Sequence, residues 1–251
     1  QLLRNLVRLG VARGKMLKPI RKRWLALHGP KVDAEIRGIR YRLDLSNNAT
    51  DNKVLLSSKV YDQVELDALA ETARGGVFVD IGANMGYYTL NLCKRGARRV
   101  VAVEPNPPAL QRLRFNLSIN GFDDRVMIIP EGVGPDGELE LYQTQGLGSA
   151  SFVRPNIEVP TLKVRTRPLR AILAQAQVDT IGGLKIDVEG FEDRVLAPFL
   201  EQAPAALLPV TIVMESCHDG DWETDLPGLL CRQGYHLRAK TRANLIFRKT
   251  H

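Results

Sequence analysis

The chain is short of the residues that staple small proteins or bind metals. It has three cysteines in 251 residues (Cys93, Cys217 and Cys231), with no C-x-x-C spacing and no histidines beside them, and only four histidines in all. That arithmetic disfavours both a disulfide framework and a zinc site, and a reducing, cytoplasmic setting is expected. No stretch approaches the roughly 18 consecutive apolar residues of a membrane span. The start also lacks the compact apolar block of a secretory signal, so neither a threaded nor an exported protein is expected. Internal repeats and low-complexity segments are missing as well.

Acids are absent from the first 32 positions. Nine cations (Arg4, Arg8, Arg13, Lys15, Lys18, Arg21, Lys22, Arg23 and Lys31) precede Asp33, so of the net +7 the first 32 residues carry +9 and the remainder −2. The basic character belongs to an N-terminal arm, residues 1–33. Its apolar residues Leu3, Leu6, Val7 and Val11, then Met16, Ile20, Trp24 and Leu27, are interrupted by Gly10, Gly14 and Pro19. This pattern predicts two short amphipathic helices. Such an arm can dock on its own domain or on a second subunit in a homodimer, or lie on an anionic membrane surface as a peripheral contact. No nucleic-acid partner is expected, because Trp24 is the arm's one aromatic and single-strand recognition needs a stacking series.

What remains is ample for one globular domain, residues 34–251, with 44% hydrophobic and 25% charged positions overall. EIRGIRYRLDL alternates around Gly38 as a hairpin does, and YDQVELDALAETA has helical spacing; together they make up a preface, residues 34–76. From Val77 onward strands alternate with helices. The strands are 77–79, 99–103, 126–129, 184–187 and 210–214, the helices 87–95, 107–120, 169–176, 192–200 and about 226–234. Two closing strands, 235–239 and 244–248, are joined by a short turn. The expected fold is α/β, a doubly wound Rossmann-like sheet, mainly parallel, with a C-terminal antiparallel hairpin strand and helices on both faces.

In such sheets ligands sit beyond the carboxyl ends of the strands, where the first strand-to-helix loop lies. Here that loop is VFVDIGANMGYYTL. Gly82 and Gly86 permit a sharp bend and a close approach of backbone to ligand, and the following helix presents its N-terminus. Asp80 would repel a pyrophosphate but attract a sulfonium or ammonium group. G-x-x-x-G also lacks the spacing of dinucleotide loops and the Lys-Ser/Thr of a P-loop. Glu104 ends the next strand, about 20 residues on, where a carboxylate accepts ribose hydroxyls. A cationic ligand with a free ribose describes S-adenosylmethionine.

In order and spacing, VDIGANMGYYTL, VEPNPPALQRLRFNLSIN and LKIDVEGFEDRVL resemble the FkbM family of S-adenosylmethionine-dependent methyltransferases, over about residues 77–214. The resemblance implies that Asp80, Gly82, Asn84 and Gly86 hold the methionine end and that Glu104, assisted by Asn106, holds the ribose. It also implies that Glu131, after the third strand, borders the adenine. For the acceptor it implies a hydroxyl on a secondary metabolite, or on a sugar of a glycan. Asn106-Pro107-Pro108 imitates the signature of base-directed N-methyltransferases but stands after the wrong strand.

Methyl transfer to an alcohol needs a group that takes the hydroxyl proton. Asp187 and Glu189 are the candidate bases, with Lys185 as charge partner, and Glu215 and His218 end the neighbouring strand at the same rim. Structural alternatives are that Asp187 orients the cofactor amine, that Glu189 caps the following helix, and that His218 is merely solvated. The four do not follow a metal template, so a metal is left open. GLGSASFV, 146–153, is expected to close over the acceptor. Two other classes compete with an O-methyltransferase: an NAD-dependent oxidoreductase and a non-catalytic S-adenosylmethionine-binding scaffold.

Overall fold

The structure, a computed structural model, describes residues 29–46, 48–57, 60–143 and 150–250, together with Leu27. The helices expected in the arm and residues 146–149 of the acceptor-side loop lie outside the described residues. The described residues fall into two compact units, divided between Gln63 and Val64.

In the first unit, β1 (Lys31–Ile36) and β2 (Ile39–Asp44) pair antiparallel, with Ala34 opposite Tyr41. Their turn residues Arg37 and Gly38 both have positive φ, 55° and 71°, as a two-residue hairpin turn that follows the strand twist requires. Alternation buries Ile39, Tyr41 and Leu43. A helix, α1 (Ala49–Leu56), follows, capped by the Asn48 side chain, which accepts from the Thr50 N–H. Its sequence, ATDNKVLL, is too short and too polar to show a helical period.

The second unit holds most of α2 (Gln63–Ala73). Next in chain order come β3 (Val77–Ile81), α3 (Tyr87–Lys94), β4 (Arg99–Val103), α4 (Pro107–Asn120), β5 (Val126–Ile129), β6 (Gly132–Val133), β7 (Gly137–Gln143) and β8 (Ala150–Ser151). They are followed by β9 (Thr161–Arg167), α5 (Leu169–Gln175), β10 (Gly183–Ile186), α6 (Glu192–Gln202), β11 (Thr211–Glu215), α7 (Leu226–Arg232), β12 (Tyr235–Lys240) and β13 (Asn244–Lys249). Seven strands form one sheet in the order β12-β13-β11-β10-β3-β4-β5. β10, β11, β3, β4 and β5 pair in parallel, and β13 runs against β11 and β12. The terminal hairpin implied an antiparallel strand at the edge; the strand that opposes the others is instead second from it. Burial decides the order, since Asn244 to Phe247 are all buried while β12 is largely exposed after Tyr235.

The sheet winds outward from β3 in both directions, through β4 to β5 and later through β10 to β11. The crevice therefore lies between the carboxyl ends of β3 and β10. The middle strands carry unbroken apolar runs, with Phe78, Val79, Val100 and Val101 fully buried, as strands covered on both faces do.

A second sheet, ordered β6-β9-β7-β8, occupies the stretch that reads in sequence as glycine-rich. Its strands GELELYQ and TLKVRTR do alternate, and on their exposed face Glu138 lies opposite Arg165 and Glu140 opposite Lys163. Such opposed charges stabilise a strand pair on its wet side.

Candidate active site

The loop after β3 bends as the glycines predict: Gly82, Asn84 and Gly86 have φ of 75°, 51° and 93°. What the glycines admit, however, is the protein's own structure. A Cβ on Gly82 would stand 2.0 Å from the Asp187 carbonyl oxygen, and one on Gly86 would stand 2.6 Å from Leu113 Cδ1. The Gly82 and Ala83 N–H groups both donate to the Val103 carbonyl at 3.0 Å. These two donors fasten the loop to the end of β4.

Asp80 is fully buried. Its Oδ2 accepts from the Thr89 N–H (3.0 Å) and Oγ1 (2.6 Å), which caps the first turn of α3 from outside the helix. Register places Lys185 of β10 directly opposite Asp80. The Lys185 Nζ lies 3.7 Å from Asp80 Oδ1 and 3.5 Å from Asp187 Oδ2, and it donates to the Gly82 carbonyl at 2.8 Å. Burial pushes the Asp80 carboxyl up, opposed by Lys185 and Thr89. Burial likewise works against the Lys185 charge, but Asp187, Asp80 and Glu104 outweigh it and hold the ammonium above its ordinary range. The positive charge that meets Asp80 thus comes from within the chain.

Glu104 is buried at the end of β4. Its Oε2 accepts from the Asn84 N–H at 2.7 Å and its Oε1 from the Asn106 N–H at 2.9 Å. Burial pushes its carboxyl up to about 7 against those two donors. Each oxygen keeps a second lone pair. Asn106 stands at the N-cap of α4 without a side-chain capping bond, and its buried Oδ1 has no hydrogen-bond partner among the described residues.

Beside Glu104 opens a cleft of about 560 Å³, the open solvent at its mouth included. Ile81, Val103, Val133, Leu141 and Phe152 give it apolar walls, and Gly82, Asn84, Glu104, Glu131, Asp187 and Glu189 also line it. Glu131 is paired with Arg167, which turns its carboxylate toward β9. Asp80, Gly86, Asn106 and Lys185 do not form the cleft wall. The lining suits S-adenosylmethionine: apolar walls for a base, a hydrogen-bonded carboxylate for ribose hydroxyls, and the Asp187 carboxylate for an ammonium group.

At the rim expected to face the acceptor, three of the candidates from two strand ends come together. His218 Nδ1 is 3.3 Å from both Glu189 Oε2 and Glu215 Oε2. Burial pushes Glu189 up to about 8, with Asp187 adding to the shift and His218 opposing it. Burial works against charge on His218, yet Glu189 and Glu215 hold the imidazole above its ordinary value. Glu189 has φ of 56°, a backbone rarely adopted by a residue with a side chain, and Ser151 Oγ donates to its carbonyl at 2.6 Å. Glu189 does not cap α6. The N-cap of α6, Phe191, has no side-chain capping bond; Glu192, the first helical residue, instead fastens the preceding loop by accepting from the Val188 and Gly190 N–H groups, and Trp222 Nε1 donates to it at 3.0 Å. No group of three or more metal-holding side chains occurs among the described residues.

Thr89, Arg167 and Trp222 were missed in the sequence, whereas Ser151 and Phe152 belong to the 146–153 segment expected at the acceptor. Thr89, in the first turn of the helix that follows the glycine loop, was the one with a local signal. The others come from the small sheet or from a distant loop.

A cleft of this chemistry at the switch point of a mainly parallel sheet defines a Rossmann-like methyltransferase that uses S-adenosylmethionine. The Methyltransferase FkbM domain matches residues 80–237, and the chain belongs to that family. Membership replaces the dinucleotide and scaffold alternatives. Among solved structures, the methyltransferase FkbM of Methylobacillus flagellatus KT is 21% identical with a TM-score of 0.45, over 68% of this chain and 42% of that one. TYW2 of M. jannaschii, solved in complex with AdoMet, is 14% identical with a TM-score of 0.41, over 88% and 87%. Among curated proteins, the tRNA wybutosine-synthesizing protein 2 homolog of Rattus norvegicus is 37% identical over 108 residues, 43% of this chain and 22% of its own length. The chain thus spans about a fifth of that relative. A relative named for tRNA overturns the expectation that nucleic acid has no part here.

Among the described residues no helix is long and apolar enough to cross a membrane.

Proposed function

We propose that this methyltransferase acts on a hydroxyl oxygen of a sugar, with the Glu189–His218 pair taking the proton. S-adenosylmethionine, when bound, supplies an electrophilic methyl group on a sulfonium. The observation that carries the reading is the imidazole Nδ1 shared at 3.3 Å between Glu189, which lines the cleft, and Glu215 behind it. A carboxylate on Nδ1 fixes the tautomer and leaves Nε2 as the open basic nitrogen. With Glu189 pushed up to about 8, the pair changes protonation close to neutral pH, where a general base is most effective. Glu104, with Asn106 beside it, holds the ribose, the apolar walls with Glu131 hold the base, and Asp187 holds the amine. Asp80 and Lys185 support both loops from beneath.

The sugar can be carried by a glycan, by a secondary metabolite or by RNA. The tRNA-named relatives favour RNA. The test is transfer of a labelled methyl group from S-adenosylmethionine to RNA, to oligosaccharides and to simple polyol alcohols, followed by digestion to locate the labelled atom. Label on a sugar oxygen supports the reading; label on a base nitrogen or carbon, with none on oxygen, refutes it.

A further inference from the structure

The turn between β12 and β13 ends at the reaction rim. β13 runs antiparallel to β11 with Asn244 opposite Glu215, so the turn stands beside the segment that carries His218. The backbone joins them: the Ser216 N–H donates to the Ala243 carbonyl at 2.8 Å. The turn is also fixed from its other side. Glu65 Oε1 accepts from Thr241 Oγ1 at 2.6 Å and from Asn244 Nδ2 at 3.0 Å, and the Thr241 N–H donates to the Asn244 carbonyl at 2.9 Å.

On this fixed turn and the strand leading to it, Arg238, Lys240 and Arg242 are exposed, and none makes an ion pair with a described residue. The small sheet offers a contrast, since its exposed Lys163 and Arg165 lie opposite Glu140 and Glu138. Cations on an edge strand do discourage pairing with another chain. Arg242, however, lies beyond the strand, in the turn itself, where there is no edge to protect. The reaction centre next to it is acidic, with Asp187, Glu189 and Glu215. A polyanionic acceptor must therefore keep its phosphates off the centre and on a flank, and this turn is a flank whose cations make no ion pair with a described residue.

We infer that Arg238, Lys240 and Arg242 form a phosphate-binding ledge that holds an RNA acceptor by its backbone while a ribose reaches the His218 rim. The inference rests on the nucleic-acid reading of the acceptor. Recognition there is of charge and not of base identity, because the ledge carries no aromatic residue for stacking.

The test titrates a fluorescein-labelled single-stranded RNA into the full chain at several salt concentrations, with S-adenosylmethionine affinity measured separately by calorimetry. The variants are the triple change Arg238→Gln, Lys240→Gln and Arg242→Gln, and, as a charge-matched control, the triple change Lys163→Gln, Arg165→Gln and Arg170→Gln, all exposed positions away from the turn. The triple variant is expected to bind RNA at least tenfold more weakly at low salt. Its slope of log affinity against log salt should be shallower by about 2, since each phosphate contact on a single strand contributes roughly 0.7. Its cofactor affinity should be unchanged, and the control should match the unaltered protein in both. Equal loss in the control would assign the effect to net charge and overturn the ledge. So would an unchanged RNA affinity in the triple variant, or no RNA binding by a protein that binds S-adenosylmethionine. Binding of phosphatidylglycerol vesicles through the same three cations, with RNA unbound, would overturn the RNA assignment. Loss of S-adenosylmethionine binding in the unaltered protein would instead strike at the proposed function itself, leaving the RNA titration to judge the ledge.

Discussion

Two charged clusters stand at neighbouring strand ends, and they differ in what surrounds them. Asp80 and Lys185 are sealed from solvent, register-matched and tied to backbone groups of the glycine loop. Glu189, Glu215 and His218 are partly open, with side-chain exposures of 22%, 10% and 43%. A sealed pair holds its charges fixed, and its loss is felt as instability. A half-open group whose protons come and go near neutrality can do chemistry, and its loss is felt as lost turnover. The two clusters touch through Asp187, which is 3.5 Å from the Lys185 ammonium and follows the same strand as Glu189.

The largest effect expected is on the sealed pair. Lys185→Met leaves a buried carboxylate without its cation and should lower stability by about 3–5 kcal/mol, read by urea denaturation. Adding Asp80→Asn should recover part of that loss; a double variant worse than the single would break the pairing. On the open cluster, Glu189→Gln should cut methyl transfer roughly a hundredfold or more while folding and S-adenosylmethionine affinity are retained. His218→Ala should do the same, and the two together should cost little more than either, because they act as a unit. Additive losses would separate them.

Smaller effects come from pH. Unfolded glutamates titrate near 4.5, whereas burial holds Glu104 and Glu192 to about 7 and Glu189 to about 8. The folded state then binds more protons than the unfolded across that window, so stability falls as pH rises from about 4.5 to about 8. Ribose hydroxyls donate to the ionised form of Glu104, so cofactor affinity should rise through about pH 7, with proton release visible in buffers of different ionisation enthalpy. Affinity that falls over this range would remove Glu104 from the ribose. The smallest change is at Asn106→Ala. Its amide oxygen is buried without a partner among the described residues, so the free protein should keep or gain up to about 1 kcal/mol, while cofactor affinity drops.

Much of the crevice was legible in the chain. VFVDIGANMGYYTL announces strand, loop and helix by its change of period, and Glu104 stands where the next strand must end. Asp187, Glu189, Glu215 and His218 were likewise placed at one rim by the ends of two strands. What could not be read was partnership at a distance. Lys185 meets Asp80 because β10 and β3 are in register, and register is a property of the folded sheet. The orphaned state of Asn106 depends on burial, and local sequence gives it only a cap position. The small sheet was missed because the glycines and prolines between 130 and 160 mask strands whose alternation, in GELELYQ and TLKVRTR, is plain once the ladder is known. The cations of the last turn gained meaning only when β13 proved to lie beside β11.

At Gly82 the backbone of the first loop passes so close to the Asp187 carbonyl that a single methyl group would not fit between them. On the proposed reading, the grip on the donor and the choice of acceptor are therefore not separable modules in this enzyme. An engineer who reshapes the segment after β10 to admit a new acceptor also reshapes the floor under the donor. Altered selectivity is best sought from the side chains beyond Val188, with the main chain at 187 left where it is.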